Sequence, residues 1–106
     1  MSGEAARRSP SGGLLNVFRD IVMDVAAVGA AATLDHVVAA PGFPEAAVGD
    51  TIEVSTAALE AGLGVALAWV HVAGGFTVRF INPTAAPIDP ASHTYQVVLT
   101  KKGPTL

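Results

Sequence analysis

The hydrophobic and polar positions of this chain alternate in short runs separated by glycine and proline, the pattern of strands joined by turns. In residues 50–55 (DTIEVS), Ile52 and Val54 fall on one face and Thr51, Glu53 and Ser55 on the other. Residues 76–81 repeat the alternation, with Phe76, Val78 and Phe80 opposite Thr77, Arg79 and Ile81. Residues 93–100 do so again, with Tyr95, Val97 and Leu99 against Thr94, Gln96 and Val98. Residues 33–40 (TLDHVVAA) predict a further strand, stopped by Pro41-Gly42-Phe43-Pro44. Residues 65–72 are apolar on both faces, as in a strand covered on two sides. Gly74-Gly75 reads as a hairpin turn, because glycine tolerates the positive φ of a tight turn. Residues 57–61 suit one helical turn ended by Gly62, and residues 82–90, with three prolines, read as a loop.

The segment 14–28 fits two periods. Helical spacing aligns Leu14, Phe18, Ile21 and Val25; strand parity aligns Arg19, Ile21, Met23 and Val25. The β-branched content after Asp20 favours a strand over residues 21–28, followed by a turn at residues 29–32. Residues 1–13 (MSGEAARRSPSGG) have no periodicity and no large apolar side chain beyond Met1. The expected organisation is an arm over 1–19, a β-domain over 20–102 and a tail over 103–106. The fold class is all-β: a small antiparallel β-sandwich or compact barrel of about six strands with an extended N-terminal arm. The expected core includes Ile52, Val54, Val65, Leu67, Phe76, Val78, Phe80, Val97 and Leu99.

Composition sharpens this picture. The chain has 106 residues, which suits one domain, and no cysteine, which removes disulfides, thiolate metal sites and thiol nucleophiles. It is 51% hydrophobic but only 14% charged, against a usual charged share of about 25%. Much of the apolar fraction is alanine, which buries little area. Lysine occurs only at Lys101 and Lys102, and residues 51–100 carry only Glu53, Glu60, Arg79 and Asp89 as charges. A lone molecule normally keeps a charged exterior. An exterior this neutral suggests that much of it meets other protein. A net charge of −3 argues against a nucleic-acid surface. No run of about 18 uncharged apolar residues suggests a membrane span. No secretory leader is expected either, since Asn16, Arg19 and Asp20 interrupt any apolar run after Arg7-Arg8.

Catalytic chemistry is sparsely represented. His36, His71 and His93 lack metal-ligand spacing, and no cofactor is expected. Asp35 and His36 are neighbours in a strand and point to opposite faces. Ser55, Ser92, His71 and Asp50 make a hydrolase triad only on paper, without a nucleophile elbow. Asp50 and Glu53 read as solvated edges. Asn82-Pro83-Thr84 fails as a glycosylation acceptor because proline holds the middle position. Trp69 and His71, two apart in a strand, share a face. They are candidates for a subunit interface, with a sugar-stacking platform as the competing reading. In the arm, Arg7, Arg8, Leu14, Leu15, Phe18 and Arg19 are candidates for docking on a partner, with a solvated tail as the bland alternative.

From Ala40 onward the chain resembles a pattern of tailed-phage head decoration (cement) proteins and related small virion β-domains. The segments are Ala40-Pro41-Gly42, Gly49-Asp50-Thr51-Ile52-Glu53-Val54, Gly74-Gly75, Thr77-Val78-Arg79-Phe80-Ile81-Asn82-Pro83-Thr84, Ile88-Asp89-Pro90-Ala91-Ser92 and the strand from Thr94 to Leu99. The resemblance covers about two thirds of the chain and leaves out the arm. It implies a non-enzymatic structural protein on the capsid surface of a virion. The implied partners are a major capsid protein and further copies of the chain, usually as a trimer. The alternative carried beside it is a carbohydrate- or protein-binding module of a phage tail or fibre.

Overall fold

The computed structural model describes residues 6–8, as backbone, and 15–102. It is all-β, and the described residues include no helix long and apolar enough to cross a membrane. Among the described residues seven strands occur in chain order: β1 (Ala6–Arg8), β2 (Leu15–Met23), β3 (Ala32–Val38), β4 (Thr51–Ser55), β5 (Gly64–Val72), β6 (Gly75–Asn82) and β7 (His93–Thr100). The six longer strands form two antiparallel layers, β2-β7-β4 and β3-β6-β5, and the three-residue β1 adds to the open side of β2. This is the sandwich alternative of the sequence reading.

Alternation decides which face of each strand goes inside. Tyr95, Val97 and Leu99 of β7, Ile52 and Val54 of β4, and Phe76, Val78 and Phe80 of β6 are buried between the layers. Phe80 meets Tyr95 edge-on at 6.0 Å, and Phe43 meets Phe76 at 6.3 Å. Both are favourable aromatic geometries.

Several sequence expectations are corrected. The second strand starts at Leu15 rather than near residue 21, and it pairs with β7 from Asn16↔Thr100 to Met23↔His93. Val17 is therefore core, while Val25 and Val28 are buried beyond the strand's end. Residues 57–58 and 61–62 form turns and not a helical turn. Leu67, expected inside, is 47% exposed, because a bulge after Val65 sets Leu67 opposite Arg79 on the outer face. Strand β5, expected to be covered on both faces, leaves Ala66, Leu67, His71 and Val72 exposed, and it lies at a sheet edge. Phe43, placed in a stop signal by the sequence, is fully buried.

The β5–β6 hairpin uses its two glycines differently. Only Gly74 has a positive φ (81°). Gly75 is needed for space: a Cβ there would lie 2.8 Å from the Val38 carbonyl oxygen and 3.1 Å from the Ala40 nitrogen. At Gly74 the nearest contact would be 3.4 Å. Gly74→Ala is therefore expected to cost about 1–2 kcal/mol of backbone strain. Gly75→Ala must displace β3 backbone and is expected to cost more, about 3 kcal/mol. Urea unfolding of the two variants checks the order.

Candidate functional site

The outer face of the β3-β6-β5 layer carries the most distinctive exposed chemistry. Register sets Asp35 directly opposite Arg79, and Leu67 beside Arg79 on the other flank. The guanidinium forks onto the carboxylate, with Nε donating to Oδ1 at 2.8 Å and Nη2 to Oδ2 at 3.1 Å. That hydrogen bond holds the Asp35 carboxyl below its usual pKa. The same guanidinium lies 5.1 Å from the centre of the Trp69 ring, a cation–π contact. Next along β5, His71 Nδ1 is hydrogen bonded to Thr77 Oγ1 at 2.9 Å. Around this centre stand Val37, Leu67 and Ile81, which are 58%, 47% and 39% exposed. The face is thus apolar, and its central charges neutralise each other.

Trp69 and His71 therefore do come together, as strand spacing predicts. The arm candidates do not form one group. Arg7 and Arg8 belong to β1, opposite Asn16 and Leu15. Leu14 lies outside the described residues. Leu15 opens β2, and its carbonyl accepts the Lys101 N–H at 2.8 Å. Phe18 points outward from the four-stranded sheet, opposite Val98. Arg19 Nη2 donates to both Glu45 oxygens, at 2.9 and 3.0 Å, and its guanidinium stands 5.3 Å from the Phe43 ring centre. Leu15, Phe18 and Arg19 are parts of the sheet, and Arg19 fastens the 41–50 loop to it.

Three polar clusters escaped the sequence reading. Asp50, expected to be solvated, has its side chain only 2% exposed. Lys101 Nζ donates to Oδ2 at 2.6 Å, and the backbone N–H groups of Lys102 and Ala47 donate at 2.7 and 2.9 Å. Asn82 is fully buried at the end of β6 and hydrogen bonds to two other segments of chain, residues 28–29 and 84–86. Glu60 accepts His93 Nε2–H and the Ala91 N–H, both at 2.9 Å, so both its oxygens are engaged. Beside it the Tyr95 hydroxyl is buried without a hydrogen-bond partner among the described residues. Burial, and secondarily the Glu60 charge, raises its pKa. Each cluster joins a loop to a strand end by contacts 31 to 54 residues apart in sequence, a separation that leaves no local spacing signal.

These arrangements fasten the fold and expose little reactive chemistry. Asp50 and His71 of the paper triad are bound to separate partners, Lys101 and Thr77. Among the described residues no group of three or more His, Asp or Glu is placed to hold a metal ion. His36 is half-buried on the inner side of β3; burial lowers its pKa, against the opposing pull of Asp24. One cleft of about 500 Å³ runs between residues 52–55 of β4 and 65–68 of β5, with Val98 at its side. No family model matches the chain, and no curated protein or solved structure matches it either.

Proposed function

We propose that this chain is a structural virion protein: a small β-domain that binds the outside of an assembled phage capsid as a trimer and stabilises the shell. The observation that carries this reading is the outer face of the β3-β6-β5 layer, where Val37, Leu67 and Ile81 stand exposed around a self-neutralised Asp35–Arg79 pair. Such a face suits burial against protein, since it brings apolar area and no uncompensated charge. The scarcity of charge over residues 51–100 and the resemblance of the turn-and-strand pattern to cement proteins support the same reading.

The mechanism is mass action. A protein that binds the assembled shell and not its dissociated subunits stabilises the shell by its binding free energy. A trimer engages several shell subunits together, so weak contacts combine into strong attachment. No bond is made or broken, and no cofactor takes part. A sugar-binding role gains little from the site: the Arg79 guanidinium occupies one face of the Trp69 ring, and the β4–β5 cleft passes along Leu67 rather than Trp69.

The test is truncation. Removing residues 1–18 would delete four of the nine residues of β2, the buried Val17 among them, so the informative cut is residues 1–13. The shortened chain is expected to fold with stability within about 1 kcal/mol of the full chain, because the core among the described residues, from Val17 onward, is kept. It is expected to bind purified phage particles at least about 10-fold more weakly in a density gradient, through lost multivalent contact. Undiminished attachment would remove the arm from the docking mechanism.

A further inference from the structure

The two edges of the four-stranded sheet differ in charge. One edge is β1, whose three residues include Arg7 and Arg8; the other is β4, whose central residue is the exposed Glu53. Neither outer edge pairs with another strand among the described residues. An unpaired edge is a row of backbone donors and acceptors that can accept a further strand. The β4 edge is regular, with no bulge in its pairing to β7. The β5 edge across the cleft is broken by two register shifts, a feature that discourages strand addition. The cleft of about 500 Å³ leaves room beside residues 52–55 for a short extended segment.

We propose that copies of this chain join edge to edge, β1 of one copy pairing with β4 of the next, so that a basic edge sequence meets the edge that carries Glu53. The proposal rests on the oligomeric reading above and specifies its contact. Charge selects this pairing over the alternatives. Two β4 edges meeting about a two-fold axis centred on Glu53 would set Glu53 against Glu53. Two β1 edges would set arginines against arginines. Like charges opposite one another across a strand pair are destabilising, and opposite charges favourable. Direction agrees as well. Through the antiparallel steps β1-β2, β2-β7 and β7-β4, strand β1 runs opposite to β4. A rotation axis running along the strands preserves that relation, so β1 of the neighbour lies antiparallel to β4. The contact is head-to-tail and closes into a ring when the rotation permits.

Light scattering of the full-length chain, coupled to size exclusion over a concentration series, tests the contact by charge exchange. Wild type is expected at a closed multiple of the 10.7 kDa chain. Glu53→Arg and the double variant Arg7→Glu/Arg8→Glu are each expected to assemble at least about 10-fold more weakly. The triple variant carrying all three changes is expected to recover assembly. Glu53→Gln, a milder change at an exposed site, is expected to weaken it less, and circular dichroism melts confirm that each variant is folded. Assembly that is unaffected by the single-edge reversals overturns the proposal and leaves the chain an oligomer with its contact elsewhere. Dissociation without recovery in the triple variant overturns it too. A wild type that stays at single-chain mass overturns both this contact and the trimer, while attachment to particles remains readable separately in the gradient.

Discussion

Replacing Asn82 with aspartate, a change of one atom and one charge, is expected to bring the domain close to unfolding. The Asn82 Oδ1 accepts the Thr84 N–H at 2.9 Å and the Thr84 hydroxyl at 2.6 Å. Its Nδ2 donates to the carbonyls of Val28 at 3.0 Å, Gly29 at 3.1 Å and Ala86 at 2.8 Å. Two amide hydrogens thus serve three carbonyls, and one is shared. The side chain joins the end of β6, the backbone beyond β2 and the loop after Pro83, next to the Val28–Ile88 bridge. Asn82→Ala removes all five of these hydrogen bonds; the Val28 carbonyl keeps the Ile88 N–H and the Ala86 carbonyl keeps the Thr84 hydroxyl, but the Gly29 carbonyl and the Thr84 N–H lose the partner named here, at a cost of about 3 kcal/mol. Asn82→Asp puts a carboxylate oxygen against three carbonyl oxygens, and no Lys or Arg is among the hydrogen-bond partners of this side chain in the described residues. The cost is about 4 kcal/mol or more, because an unpaired buried charge is added to the lost bonds. A domain of this size typically has about 5–15 kcal/mol in total. The melting temperature of Asn82→Asp should fall by roughly 15–30 °C. A neutral-pH value within about 1 kcal/mol of wild type would show that the hub contributes nothing measurable.

The second large effect belongs to Asp50. Its buried carboxylate joins the end of β7 to the 43–50 loop through Lys101, Lys102 and Ala47, and Lys101 Nζ also donates to the Glu45 carbonyl at 2.7 Å. Asp50→Ala removes three hydrogen bonds to a charged acceptor and is expected to cost about 3 kcal/mol. Asp50→Asn keeps the shape but offers an N–H where an N–H or ammonium already points, for about 2 kcal/mol. The effect depends on pH. Burial alone would raise the Asp50 pKa, but the Lys101 ammonium and the two backbone N–H groups outweigh it and hold the value below normal. The unfolded chain therefore takes up the proton first as pH falls. This contribution is complete above about pH 4 and declines as pH drops through the folded value. Asp50→Asn should flatten the loss of stability in that acid range. His36, whose pKa is lowered, acts separately: its loss begins as pH falls below about 6.5. Urea titrations between pH 2.5 and 7 separate the two, and an unchanged acid slope in Asp50→Asn would refute the assignment.

Local alternation made the strands legible and long-range polar contacts hid the rest. Ile52/Val54, Phe76/Val78/Phe80 and Val97/Leu99 were readable because one face of each strand is buried and the period is two. Strand β2 was harder. Arg19 interrupts the inward series Val17, Ile21, Met23, and its tie to Glu45 and its place over the Phe43 ring explain how a charge sits there. Leu67 misled because a one-residue bulge reverses faces, and no residue type marks it. Asp50 read as a solvated strand edge and Asn82 as the start of a loop, because Lys101 and Val28 lie 51 and 54 positions away. The exposed face followed the same division. Strand spacing put Trp69 with His71, whereas Asp35 and Arg79 could join them only once the β3–β6–β5 register was known.

The most direct measurement of the central claim is the protein content of purified phage particles. Virions released from the host that carries this sequence would be banded by density and quantified by mass spectrometry. The chain is expected in the particle band at a fixed ratio to the major shell protein, and washing it off is expected to remove the added shell stability. A chain absent from the band, and recovered instead as a free single molecule, would contradict it.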